Sequence, residues 1–170
     1  MYCVPRIHNK DKMHEFREAK ENDYKGICSL VRNSDEMFFF HPKGNYPLTV
    51  DQLRRLSKDR KELTVVIDKN EIIGFANIYN YKENNNAFIG NVIIKREHRG
   101  KGVGKALVLY MLDKALNKYG LPKVRISVFS ENTSALLLYS GLGFKPYAVE
   151  ERENRAGKRV ALIHMEVKSS

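Results

Sequence analysis

The residue spacing with the plainest chemical meaning lies mid-chain, where Asn91-Val-Ile-Ile94 leads through a polar turn into Arg99-Gly-Lys-Gly102-Val-Gly104-Lys105 and an apolar-periodic segment. It reads as strand, loop and helix. Gly100, Gly102 and Gly104 can take positive φ and leave the backbone bare, so successive N–H groups can converge on an anion at the N-terminus of the next helix. That chemistry is a phosphate cradle. Two better-known nucleotide loops are excluded by spacing. No Gly stands five residues after Gly100, and Lys105 precedes Ala106 where a magnesium-binding Ser or Thr would be needed. A dinucleotide fingerprint starting at Gly100 or Gly102 would need Gly where Lys105 and Leu107 stand. What remains is Arg-x-x-Gly-x-Gly over 99–104.

The elements that must hold this loop follow from periodicity and turn signals. His14 to Ala19 predicts a first strand, and Asn22 or Asp23 caps a helix with Ile27, Leu30 and Val31 at helical spacing. Phe38-Phe-Phe-His-Pro-Lys-Gly-Asn-Tyr-Pro47 reads as a loop, with Phe38 to Phe40 filling the core and His41 and Tyr46 left open between packing and substrate contact. Thr49-x-x-Gln52 is a capping box, and its helix turns Leu53 and Leu56 inward and Arg54, Arg55, Lys58 and Arg60 outward to solvent. Strands follow over Leu63 to Asp68, Glu71 to Tyr81 and Ala87 to Lys95. Asn77, Tyr79 and Tyr81 share one face of the second of these, to line a pocket or to pack. A helix is predicted from Val103 to Tyr119, a strand over Val124 to Val128, and a second helix capped by Asn132 and ended by Gly141 and Gly143. Ala148 to Arg152, a turn at Asn154 to Gly157, and Arg159 to Val167 close the chain as a hairpin.

A second motif stands downstream: Asn132-Thr-Ser-Ala135-Leu-Leu-Leu-Tyr139, followed by Gly143-Phe144. Together with Arg99 to Gly104, in this order and separation, it resembles the GNAT N-acetyltransferase superfamily. The resemblance runs from Phe16 to Val167. It implies an α/β (α+β) fold: a mixed, mostly antiparallel twisted sheet of about seven strands, flanked by about four helices and splayed between strands 4 and 5. It implies acetyl-CoA as donor, with the pantetheine arm in the splay on backbone N–H groups of Val92, Ile93 and Ile94. The pyrophosphate would sit on the amides of Arg99, Gly100, Lys101, Gly102, Val103, Gly104 and Lys105, with Asn132 as cap or polar contact and Ala135 small for close approach.

Tyr139 stands two helical turns below Asn132. Spacing alone leaves a buried helix tyrosine and a catalytic one equally open, and the surrounding motif favours a general acid for the departing thiolate. The base is not assigned. Relatives that acetylate ribosomal-protein N-termini carry a glutamate where this chain has Ser127, and many members have proline where it has Arg96. Asn91 or Ser127 ordering water are candidates, with His164 and Glu150 more distant. A lysine amine costs roughly 4–5 kcal/mol to deprotonate at pH 7 and an α-amine about 1, so a strong base matters most for the former. His41, Tyr46, Tyr79, Asn91 and Ser127 are the substrate-side candidates.

With 170 residues and 42% hydrophobic content the chain suits one domain over 13–170, with 1–12 as a flexible polar tail. No run is long enough to span a bilayer. Cys3 and Cys28 form neither metal spacing nor a disulfide framework, which favours a cytoplasmic setting without metal. The formal charge of +10 is spread along the chain without the aromatic-interleaved patch of a nucleic-acid module. The expected partners are acetyl-CoA and an amine acceptor, without membrane or nucleic acid, and a homodimer stays open. The acceptor is expected to be a small molecule, because no extended peptide-binding feature is visible. A protein N-terminus or lysine is the alternative, and a non-catalytic acyl-CoA-binding module the third reading.

Overall fold

A computed structural model describes residues 14–169; the tail expected over 1–12 lies outside them. Seven strands form one sheet in the order β1-β2-β3-β4-β5-β7-β6. They are β1 (Glu15–Glu18), β2 (Lys61–Asp68), β3 (Glu71–Lys82), β4 (Asn86–Ile94), β5 (Lys123–Phe129), β6 (Lys145–Glu153) and β7 (Arg159–Lys168). Every adjacent pair is antiparallel except β4 and β5, which run parallel. The α-helices are α1 (Tyr24–Ser29), α2 (Ser34–Phe40), α3 (Val50–Ser57), α4 (Val103–Asp113) and α5 (Thr133–Gly141). The mixed, mostly antiparallel sheet is the expected one.

Helix α4 covers one face, where Leu107, Val108 and Met111 are fully buried against Ile78, Ala87, Ile89 and Val124. Each such side chain contributes roughly 1.5–3 kcal/mol through burial. On the other face Ile27, Met37 and Leu53 pack with Val65, Phe75 and Ile93. Of the capping box predicted at Thr49 one half forms, the Gln52 amide donating to Thr49 Oγ1 at 3.2 Å, while the Gln52 side chain turns to the segment before the helix and accepts from the Asn45 amide at 2.9 Å.

Three elements depart from the expected pattern near the site. The segment expected to loop from Phe38 is helical through Phe40, because Asn33 caps α2 by accepting from the Glu36 amide at 2.8 Å. The long helix expected to Tyr119 changes at Lys114 into a π-helical turn, Lys114–Lys118. That turn brings Lys114, Lys118 and Tyr119 onto the Glu62 carboxylate, only 11% exposed. Finally, Tyr81 does not share a face with Tyr79. Asn80 takes φ +47 and the β3–β4 register shifts between Tyr79 and Lys82, so Tyr81 turns to the α4 side and meets Tyr119.

Candidate active site

The β4–β5 pairing stops at Ile89 and Ile126, although β4 continues to Ile94 and β5 to Phe129. Beyond that point the two strands diverge and their facing backbones have no strand partner on that side. A bulge in β4 accompanies the divergence: the β3 register moves from Asn77 opposite Gly90 to Phe75 opposite Ile93, with Asn91 at φ +51. Local hydrogen bonds hold this conformation. Asn77 Nδ2 donates to Asn91 Oδ1 at 2.9 Å, and Asn91 Nδ2 donates to the Phe40 carbonyl at 2.7 Å. Asn91 therefore spends its amide on tying β4 to α2. That leaves it a poor base.

A cavity of about 620 Å³ follows the split, lined by Val92, Ile93, Ile94, Arg99, Gly100, Gly102, Gly104, Lys105, Asn132 and Ala135. The turn into α4 supplies its donors. Gly100 and Gly102 take φ +73 and +84, and no atom lies within 4 Å of where a Cβ would stand, so backbone conformation alone calls for glycine there. Gly104 differs from expectation: it is already helical, and its bare Cα forms part of the cavity wall. The Arg99 amide is spent on the Arg96 carbonyl at 3.2 Å, so the cradle begins at Gly100. Val103, Gly104 and Lys105 open α4, where N–H groups have no acceptor within the helix.

The side chains of the turn take separate parts. The Arg99 guanidinium is a clasp, with Nε on the Ile94 carbonyl at 2.8 Å and Nη2 on Glu36 Oε1 at 3.0 Å, so its charge is already countered. Lys101 does not line the cavity, and the Val103 side chain is buried in the core. Asn132 caps α5 by accepting from the Ala135 amide at 3.3 Å.

A second cavity, of about 570 Å³, meets the first at Phe39, Phe40, Val92, Asn132 and Tyr139. His41, Tyr79, Asn91 and Ser127, named above as substrate-side candidates, line it. Tyr46 does not; it is exposed and its hydroxyl donates to the Arg32 carbonyl at 2.8 Å. The Tyr79 ring enters because residue 90 is glycine: a Cβ there would sit 2.6 Å from ring carbons. Burial raises the Tyr79 phenol above its ordinary value, opposed by Ser127 and by the Arg60 charge.

The distant candidates prove to be joined. Ser127 Oγ lies 2.8 Å from His164 Nδ1, and His164 Nε2 lies 2.8 Å from Glu150 Oε2. Strand register explains the alignment: Ser127 pairs directly with His164 across β5 and β7, and Glu150 on β6 pairs with Leu162, one diagonal step from His164. The hydrogen bond from His164 holds Glu150 below the usual carboxylate range. With Nε2–H donated to this carboxylate, Nδ1 is left to accept from Ser127, whose oxygen faces the cavity.

Tyr139 stands where the two cavities join, 6% exposed. Its hydroxyl makes no hydrogen bond with the described residues, and burial, then Tyr79, pushes its pKa well up. It therefore keeps its proton at neutral pH.

The arrangement offers an anion cradle, a slot between strands, a buried proton donor and a hydrogen-bonded proton acceptor across the junction. Phe39, Glu36 and Arg60 also border the site and carry no motif that would mark them in the sequence.

Comparison with known proteins gives a consistent picture. A family model described as the acetyltransferase (GNAT) family matches residues 27–144. An uncharacterized N-acetyltransferase of Bacillus subtilis, YokL, is 27% identical over 115 residues, 68% of this chain and 64% of that protein. Of curated relatives such as this one the chain spans less than two thirds of the length. The fold is shared with the crystal structure of a Vibrio cholerae spermidine N-acetyltransferase in complex with CoA and spermine, at TM-score 0.76, 24% identity and coverage of 92% and 95% of the two chains. It is also shared with the Escherichia coli ribosomal-protein-S18-alanine N-acetyltransferase, at TM-score 0.74, 19% identity and coverage of 93% and 95%.

Proposed function

Because the chain belongs to the acetyltransferase (GNAT) family, we propose that it transfers the acetyl group of acetyl-CoA to the primary amine of a small molecule, both held at once. The observation that carries this reading is the meeting of the two cavities at Tyr139. When bound, acetyl-CoA supplies the acetyl group and a thiol leaving group. The amides of Gly100 to Lys105 would hold its pyrophosphate, aided by the positive end of α4, worth about 0.3–1 kcal/mol for a nearby anion. Main-chain groups of Val92 to Ile94 would hold the pantetheine arm and the thioester carbonyl, donors aimed at developing charge.

The chain's own residues then manage two protons. On the acceptor side, Ser127 takes the proton the amine loses and His164 Nδ1 takes the Ser127 proton, while Glu150 stabilises the imidazolium. On the donor side, the Tyr139 hydroxyl gives its proton to the sulfur. This relay stands where relatives acting on ribosomal-protein N-termini carry a glutamate. A bridge from Arg155 Nη2 to the Gly44 carbonyl at 2.6 Å joins the β6–β7 turn to the segment after α2, both beside the acceptor cavity, which favours a small acceptor over an extended peptide.

The test is release of free thiol from acetyl-CoA, with mass spectrometry of the product, against small amines and against peptides with a free N-terminus or a free lysine. Acetylated small amine at a rate well above hydrolysis is expected. Peptide-only turnover would replace the acceptor, and failure to bind acetyl-CoA would refute the activity.

A further inference from the structure

The acceptor cavity contains a cation without a counterion. Arg60, just beyond α3, lays its guanidinium over the Tyr79 ring, 4.4 Å from the centroid. Its Nε is buried and has no hydrogen-bond partner, and among the described residues no carboxylate lies within ion-pair distance of it. Two other arginines around the site are countered, Arg99 by Glu36 and Arg152 by Glu150. Lys43 lines the same cavity, and Asp59 is the one carboxylate among the lining residues, exposed and paired with neither. Burial opposes the Arg60 charge more than Tyr79 and Asp59 support it, and burial together with Arg60 and Lys43 holds the His41 imidazole below its ordinary value. The field in the cavity is therefore positive.

A guanidinium with a buried, unpartnered Nε is costly to keep, and its planar fork suits carboxylate or phosphate oxygens. Resting on the acetyltransferase reading, we propose that the acceptor is an amine that also carries an anionic group, a carboxylate or a phosphate, which Arg60 binds from its place over Tyr79 while the amine points to Ser127. Lys43 adds to the attraction. A polyamine, the ligand class of the Vibrio cholerae enzyme, would bring further positive charge to this cavity and meets no acidic cluster in its lining.

Matched acceptors test this on the full chain: tyrosine against tyramine, phosphoethanolamine against ethanolamine, and spermidine, each assayed by thiol release and product mass. At least one anionic member should exceed its neutral partner tenfold or more in kcat/KM, and which pair responds separates carboxylate from phosphate. Arg60→Gln should erase that preference through KM for the anionic acceptor, Arg60→Lys should restore part of it, and KM for acetyl-CoA should stay within twofold. Thermal melting of both variants checks that they are folded. Preference for neutral amines or spermidine, or equal loss for both members of a pair in Arg60→Gln, overturns the proposal and leaves the acetyltransferase reading standing. Turnover of no amine at all overturns both.

Discussion

Replacing Tyr139 by phenylalanine separates a catalytic hydroxyl from a structural one, because the two readings place opposite demands on the fold. The ring is buried and packs near Phe144, with centroids 6.1 Å apart, while the hydroxyl has no hydrogen-bond partner among the described residues. Phenylalanine keeps the ring contacts and removes a hydroxyl that opens to the cavities and bonds no other side chain. Thermal stability should therefore hold or rise. Turnover should fall: a hydrogen bond to a charged group contributes about 1.5–3 kcal/mol, which for a developing thiolate corresponds to roughly a 10- to 150-fold lower kcat. KM for acetyl-CoA should change less than threefold, since cradle and slot are untouched. Steady-state thiol release and a melting curve on the same preparation decide the matter. A destabilised variant would show that the hydroxyl serves the fold, and a stable variant with unchanged kcat would refute the acid role.

Three further perturbations address the other parts. His164→Asn should lower kcat by about 10²-fold at pH 7, as expected for lost general-base catalysis, with the deficit narrowing above pH 9 where the free amine needs less help; a deficit constant across pH would mark a merely structural histidine. Gly102→Ala meets open space but a φ of +84, so it should cost about 1–2 kcal/mol in melting experiments and raise KM for acetyl-CoA more than it lowers kcat. Glu62 is pushed up by burial but pulled further down, to about 2, by Lys118, Tyr119 and Lys114. Its contribution is present above the unfolded carboxylate pKa near 4.5, is lost as pH falls towards 2, and amounts to about 3 kcal/mol at neutral pH. Glu62→Gln should therefore be less stable than the parent at pH 7 and converge with it at pH 2 in denaturant titrations.

The parts of the site visible in the sequence are those written in local spacing. Arg99 to Gly104 and Asn132 to Tyr139 each act within one turn or helix, so residue type and interval sufficed to mark the cradle, the cap and the buried tyrosine. The acceptor side depends on long-range register. Ser127 and His164 become partners only once β5 and β7 pair, and Glu150 joins them only through β6. A lysine- and arginine-rich helix face likewise predicts a solvated Arg60, and nothing local to α3 announces that the Tyr79 ring waits beneath it. Tyr46 shows the converse case: a suggestive type beside an aromatic loop, turned from the cavity by a hydrogen bond to the Arg32 carbonyl.

The irregularities the sequence hides are also what couple the two halves of the site. A regular β3–β4–β5 ladder would close the slot and turn Tyr79 and Tyr81 to the same face. The bulge at Asn91 accompanies the end of β4–β5 pairing, and its side chain binds the Phe40 carbonyl, so the residue next to the slot also fixes the end of α2. Helix α2 in turn carries Glu36, which holds Arg99 beside the cradle, and Phe39, which lines both cavities. Displacement of Asn91 would thus disturb the proposed cofactor cradle and the proposed acceptor wall together. For a reaction that needs both ligands aligned at Tyr139, one hydrogen-bonded bulge serving both walls keeps their relative position fixed.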